Sequence, residues 1–139
     1  MTKLLIDTNI ILDLLARRAP FYESASKLFS QADKKKIHLS VSALSIANTA
    51  YVLSRSLDAV RTREILGRFK LLVEIIPLND KIIGLALNDS DFHDFEDGIQ
   101  YYSAIEANQD IIITRDLKGF KNSLLPVMSA EEYFASIGK

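Results

Sequence analysis

Three short apolar runs, each too brief for a helix, give the chain its framework: Leu4-Leu5-Ile6, Leu71-Leu72-Val73-Glu74-Ile75-Ile76 and Ile111-Ile112-Ile113-Thr114. Ile37-His38-Leu39-Ser40-Val41 is a weaker fourth, and Leu125-Pro126-Val127-Met128 a fifth candidate. Continuous apolar runs bounded by polar residues read as strands covered on both faces. Between them the period changes to that of a helix. Phe21, Ala25, Leu28, Phe29 and Ala32 share a face of the segment from Phe21 to Asp33. Leu44, Ala47, Tyr51 and Val52 do so between Ala43 and Leu53, and Val60, Ile65, Leu66 and Phe69 repeat the spacing, as do Ile82, Ile83, Ala86 and Leu87. Pro20 and Pro77 stand where they separate elements. Short strands alternating with helices predict one α/β domain over residues 1–139, with a mainly parallel central sheet of about four to five strands flanked by helices. In such a sheet a ligand binds beyond the carboxyl ends of the strands, near a switch in strand order.

Composition removes several classes of function. With 48% hydrophobic and 25% charged residues the chain is not of the disordered type. Seventeen Lys and Arg against 18 Asp and Glu leave a net charge of −1, which is not the footprint of a protein that coats nucleic acid by bulk charge. The absence of cysteine excludes a disulfide scaffold and any thiolate ligand or nucleophile. No apolar run approaches the roughly 18–20 residues of a membrane span. The N-terminal residues lack the pattern of a cleavable leader and meet Asp7 at once, so a cytoplasmic domain without a membrane partner is expected.

Carboxylates stand at the ends of the expected strands. Asp7 follows the first apolar run and Asp116 the third, so two acids leaving the same edge of a parallel sheet would converge on one cleft. Each could equally serve as the N-cap of the helix behind it. A third acidic feature, Asp89, Asp91, Asp94, Glu96 and Asp97, lies within nine positions at the start of a helix expected from about Phe95 to Ala107. Asp94 and Asp97 have the spacing of N-cap and N3 residues, favoured by the helix dipole by about 0.3–1 kcal/mol each. Capping accounts for one or two acids, not for the whole group; His93 among them reads as a solvated loop residue. Oxygen-only ligands suit a hard cation, Mg²⁺ or Mn²⁺, shared with a substrate phosphate. No phosphate-binding GxxxxGK[ST] loop, GxGxxG turn or GxSxG elbow is present, and His38 and His93 offer the serines no plausible base-and-acid set.

The order of these motifs resembles that of the PIN-domain nucleases, and among them the VapC-like toxin ribonucleases. Asp7-Thr8-Asn9 before Ile10-Ile11-Leu12 is similar to the family's opening D-T-N. Asp97-Gly98-Ile99-Gln100-Tyr101-Tyr102-Ser103-Ala104, with Asp94 ahead of it, resembles its third motif. Thr114-Arg115-Asp116 with Phe120 downstream is similar to its closing T-x-D, and Leu125 to Phe134 to its last strand and helix. The resemblance implies that Asp7, Asp97 and Asp116 are the catalytic, metal-binding acids, that Thr8, Asn9 and Thr114 support them, and that Mg²⁺ or Mn²⁺ serves RNA cleavage. It further implies a small antitoxin partner and a homodimer. One departure stands out: the family's second motif carries Glu where this chain has Asn48 in Ser42-Ala43-Leu44-Ser45-Ile46-Ala47-Asn48. Asparagine can offer a carbonyl oxygen but no charge. Asn48 is then tolerated as a supporting polar group, or Glu96 or Asp94 replaces the missing carboxylate at the metal. The alternative is a catalytically impaired scaffold that binds RNA or a protein without cutting.

An RNA substrate needs phosphate contacts, and Arg17, Arg18 and Arg115 are the cations expected nearest the active edge. Lys34-Lys35-Lys36 and the group Arg61, Arg63, Arg68 and Lys70 form a second candidate patch. Asp13 reads as a surface or ion-pair residue. Phe21, Tyr22, Phe29 and Tyr51, with Leu53 and Leu57, belong either to the core or to a partner groove.

Overall fold

Leu4, Leu5 and Ile6 are fully buried, so both faces of the first strand are covered. This is the arrangement that continuous apolar runs require, and it organises the computed structural model, which describes residues 1–138. Strands β1 (Lys3–Ile6), β2 (His38–Ser42), β3 (Glu74–Ile76), β4 (Ile111–Ile113) and β5 (Val127–Met128) form one sheet in the order β3-β2-β1-β4-β5. Every pairing is parallel, with Leu4 opposite both Leu39 and Ile111. The chain adds strands on one side of β1 and then returns to add β4 on the other. The switch in strand order therefore falls at β1 and β4, where a crevice opens beyond their carboxyl ends.

Among the described residues seven α-helices cover the sheet: α1 (Thr8–Leu15), α2 (Tyr22–Asp33), α3 (Ala43–Leu53), α4 (Ala59–Phe69), α5 (Asp80–Asn88), α6 (Phe95–Glu106) and α7 (Ala130–Ile137). Leu4, Ile6 and Ile113 project into a core with Ile10, Leu28, Phe29 and Tyr133 of α1, α2 and α7. Leu5 and Ile112 project the opposite way, onto Tyr101 and Ala104 of α6 together with Phe92 and Phe120. Local chemistry sets the helix starts. Ser42, Asp58, Asn79 and Asp94 each accept a backbone N–H at a helix N-terminus, and Ser129 with Glu132 closes a capping box on α7. No helix among the described residues is long and apolar enough to cross a membrane.

The structure departs from the hydrophobic pattern in informative places. Helix α3 buries Ser45, Thr49 and Leu53, while Ala47 and Tyr51 of the expected inner stripe are exposed. The reason is that α3 starts at the carboxyl edge of the sheet and meets α1 and α6 there through hydroxyl and amide groups: Thr8 Oγ1 donates to Ser45 Oγ at 2.9 Å, and Gln100 Nε2 donates to the same oxygen at 2.5 Å. Similarly α4 turns Thr62 and Phe69 inward and leaves Val60 exposed, and Leu87 of α5 faces out. The run from Leu71 yields strand only from Glu74, because Lys70–Leu72 is a 3₁₀ turn that leaves Leu71 exposed. Of the aromatic candidates, Phe29 is buried, Phe21 and Tyr22 are half-buried, and Tyr51 lies outside the core with Arg55 4.7 Å above its ring.

Candidate active site

Asp7 leaves β1 as the N-cap of α1 and remains inside the protein, only 7% exposed. Both carboxylate oxygens are engaged. Oδ1 accepts the Thr8 backbone N–H at 2.8 Å and Gln100 Nε2 at 3.0 Å. Oδ2 accepts the Thr114 hydroxyl at 2.8 Å and Asn9 Nδ2 at 3.5 Å. Capping and cleft roles, which compete in the sequence, coexist here. Burial pushes the Asp7 carboxyl up; the bonds from Thr114, Thr8 and Gln100 oppose that rise, and the charge of Asp116 adds to it.

Thr114, the residue after β4, is fully buried and acts as a junction. Its Oγ1 donates to Asp7 and accepts both Asn9 Nδ2, at 3.2 Å, and the Asp116 backbone N–H, at 3.0 Å. Asn9 Oδ1 in turn accepts the Arg115 backbone N–H at 3.2 Å. The expected supporting residues Thr8, Asn9 and Thr114 are thus brought together, each with a defined partner.

Asp97 enters from the first turn of α6 and is half-buried. Its carboxyl is pushed up to about 7, first by burial and then by the charges of Asp7, Asp94, Asp116 and Glu96. Asp116 accepts the Gly119 N–H at 3.2 Å. Gly119 is what allows Asp97 and Asp116 to approach: a Cβ there would overlap Asp97 Oδ2 and lie 2.7 Å from Asp116 Oδ2. The glycine is required for space, since its φ is not in the left-handed region.

Asp7, Asn9, Asn48, Glu96, Asp97 and Asp116 line one cleft of about 310 Å³, with Thr8, Leu12, Arg18, Leu44, Asp94 and Gln100 completing its wall. Among the described residues no lysine, arginine or histidine is paired with any of the cleft carboxylates. Among the described residues no group of three or more acidic or histidine side chains is already placed to hold a metal ion. An open wall rich in carboxylate oxygens and free of thiol and imidazole groups fits a hard divalent cation that keeps several waters and is held by one or two carboxylates together with a phosphate. The space kept clear by Gly119 beside the Asp97 and Asp116 carboxylates fits such an ion as well.

The three expected cations part company. Arg18 lines the cleft. Arg17, at φ 49°, lies 5.9 Å from the Tyr22 ring. Arg115, expected at the cleft as a phosphate contact, is drawn away from it: Nε donates to Asp13 Oδ2 at 2.8 Å, Nη2 donates to Oδ1 at 3.0 Å, and the guanidinium stacks 3.9 Å from the Phe21 ring. Asp13 is not on the surface but 1% exposed, which makes this bidentate pair its compensation. The pair borders a separate apolar pocket of about 380 Å³ between α1, α2 and α7.

Sequence reasoning missed three contributors: Gln100, Ser45 and Gly119. Gln100 lies one helical turn beyond Asp97, so the spacing was a usable signal. Ser45 acts through Thr8 and Gln100, and Gly119 through Asp97 as well as its neighbour Asp116, so the distant half of each role leaves no local mark.

A family model described as PIN domain matches residues 3–118. Ribonuclease VapC1 of Aquifex aeolicus (strain VF5) is 27% identical over 135 residues, covering 94% of this chain and 92% of that protein. Among solved structures, VapBC-1 from nontypeable Haemophilus influenzae superposes with a TM-score of 0.70 at 16% identity, covering 94% of this chain and 99% of the other. FitAcB from Neisseria gonorrhoeae gives 0.68 at 17%, with 92% and 98% covered.

Proposed function

Since this chain belongs to the PIN domain family, we propose that it is a divalent-metal-dependent endoribonuclease and the toxin of a toxin–antitoxin pair. The observation that carries the reading is the meeting of Asp7, Asp97 and Asp116, from β1, α6 and the loop after β4, in one cleft at the switch in strand order without a pairing cation. These three would hold Mg²⁺ or Mn²⁺. When bound, the ion supplies a Lewis acid that polarises a phosphodiester and lowers the pKa of water for in-line attack.

The remaining groups orient and bind. Thr114 and Asn9 hold Asp7 Oδ2, and Thr8 and Gln100 hold Oδ1, so the carboxylate keeps one orientation. Arg18 on the cleft wall is the cation placed to meet substrate phosphate, while Arg115 keeps the strand-end loop in position through Asp13. Asp94 serves α6 as its N-cap, accepting the Glu96 N–H at 2.8 Å, and adds negative charge to the rim. A small antitoxin is the expected protein partner, supported by the likeness to VapC1 and to the VapBC-1 fold, and a second copy of the chain is the other partner this reading expects.

Asp7→Asn and Asp97→Asn are each expected to abolish Mg²⁺-dependent cleavage of single-stranded RNA, with circular dichroism confirming the fold. Undiminished cleavage by both variants would refute the reading. Asn48 motivates a second one, a scaffold that binds without cutting. An inert wild type made active by Asn48→Glu supports that scaffold; an active wild type rejects it.

A further inference from the structure

Helix α1 and the loop after β4 each face two separate spaces. Asn9 and Leu12 of α1, with Asp116 of the loop, line the acidic cleft. Ile10 and Asp13 of the same helix, with Arg115 and Leu117 on either side of Asp116, line the second pocket, of about 380 Å³. Phe21 and Ala25 at the start of α2 and Ala130 of α7 complete its apolar wall. No carboxylate of the cleft reaches this pocket, and nothing assigned to the cleft uses it. A concave space of about 300–1,000 Å³ with apolar walls and a few polar groups has the form of a small-molecule site.

The charges around the pocket select the ligand. Both Asp13 oxygens are taken by Arg115, and the Phe21 ring lies 3.9 Å from that guanidinium, so the inner pair is satisfied without an occupant. At the α7 end stand Glu131 and Glu132. Glu132 uses Oε1 on the Ser129 backbone N–H at 2.9 Å, and among the described residues neither glutamate is paired with a cation. Three carboxylates against one guanidinium leave the pocket negative, with the imbalance at the exposed α7 end. An anion would add to that charge, whereas a cation answers it. We infer that the pocket binds a small organic cation, with an ammonium or amidinium group set against Glu131 and Glu132 and an aryl body against Ile10, Phe21 and Leu117. Because Arg115 and Leu117 flank Asp116, such an occupant braces, from the side away from the cleft, the loop that brings Asp116 to it.

The test is a nuclear magnetic resonance titration of the ¹⁵N-labelled full chain, in EDTA and low salt, with 2-phenylethylamine, 2-phenylethanol and 3-phenylpropionate. The amine is expected to shift the amide signals of Ser24, Ala25, Leu117 and Ala130. It should bind about fivefold more tightly than the alcohol, the scale of solvent-screened charge pairs, and the acid should bind more weakly than either. Glu131→Gln with Glu132→Gln removes the charge but keeps an oxygen for the Ser129 cap, and should abolish the preference for the amine. Ser24→Trp places a ring in the pocket and should abolish binding of all three. Equal affinity for the three probes, a preference that survives in the double glutamine variant, or undiminished binding to Ser24→Trp overturns the inference. So do shifts centred on Asn48 and Asp97, which would place the amine in the cleft. An acetylated, amidated Phe-Arg dipeptide that binds tenfold more tightly than the amine would assign the pocket to a protein segment instead. Neither RNA nor a metal ion enters the measurement, so its outcome is independent of the nuclease reading.

Discussion

Replacing Asp97 by asparagine should stabilise the protein at alkaline pH and have little effect near pH 4. The Asp97 carboxyl is pushed up from an ordinary 3.8 to about 7, with burial the largest cause and four neighbouring carboxylates adding to it. A raised folded-state pKa means that the folded protein binds more protons than the unfolded chain between those two values. Stability contributed by the protonated group is therefore complete below about pH 3.8 and is lost as the pH rises through about 7. About three units at 1.36 kcal/mol each would amount to about 4 kcal/mol for a fully shielded group. Asp97 is only half-buried, and solvent screening brings the figure to about 2 kcal/mol. For a chain of this length that corresponds to a rise in Tm of about 7 °C. Urea denaturation of wild type and Asp97→Asn in EDTA, at pH 8 and again at pH 4, measures the effect. A gain of equal size at both pH values, or none at pH 8, would refute the argument that like charges and burial strain this residue.

Gly119→Ala should lower Mn²⁺ affinity and RNA cleavage by at least about tenfold while the circular dichroism spectrum is kept, because the added methyl drives Asp97 and Asp116 apart. Arg115→Ala should destabilise by about 3–5 kcal/mol in urea titrations, since it strands the buried Asp13 carboxylate. Arg18→Ala should weaken RNA binding by a similar factor for every sequence tried and reduce the slope of log affinity against log salt by about one, as read by fluorescence anisotropy.

Elements whose determinants are local were legible in the sequence. β1 and β4 follow from unbroken apolar runs, and the cap of α6 from Asp94 at its start. Asp7 and Asp116 were legible as acids leaving one sheet edge, because a parallel sheet sends every strand end the same way. The rest depends on partners far along the chain. Ser45 faces inward on α3 although Ala47 and Tyr51 are more apolar, because its hydroxyl is bonded at the sheet edge to Thr8 and Gln100. Asp13 and Arg115 are 102 positions apart, and nothing near either residue shows that the arginine will be withdrawn from the cleft. Gly119 acts through the side chain it lacks.

The near-zero net charge gains meaning from where the charges are paired. Arg115 answers Asp13, Lys81 lies against Glu106, and Arg61 is 3.6 Å from Glu64, all away from the cleft floor. Among the described residues the cleft carboxylates have only neutral donors: Thr8, Asn9, Gln100 and Thr114 for Asp7, Asn48 for Glu96, and backbone N–H groups for Asp94 and Asp116. Neutral donors orient a carboxylate without cancelling its charge, whereas an arginine in the same place would do both. The fold therefore keeps negative potential at the switch in strand order and bears its cost there, most visibly at Asp97. A proton and a divalent cation compete for the same oxygens, so lowering the pH through about 7 should weaken Mn²⁺ binding while it stabilises the fold. Binding isotherms for Mn²⁺ between pH 8 and pH 5.5 would show affinity falling as Asp97 takes up its proton, and an isotherm unchanged across that range would separate Asp97 from the metal site.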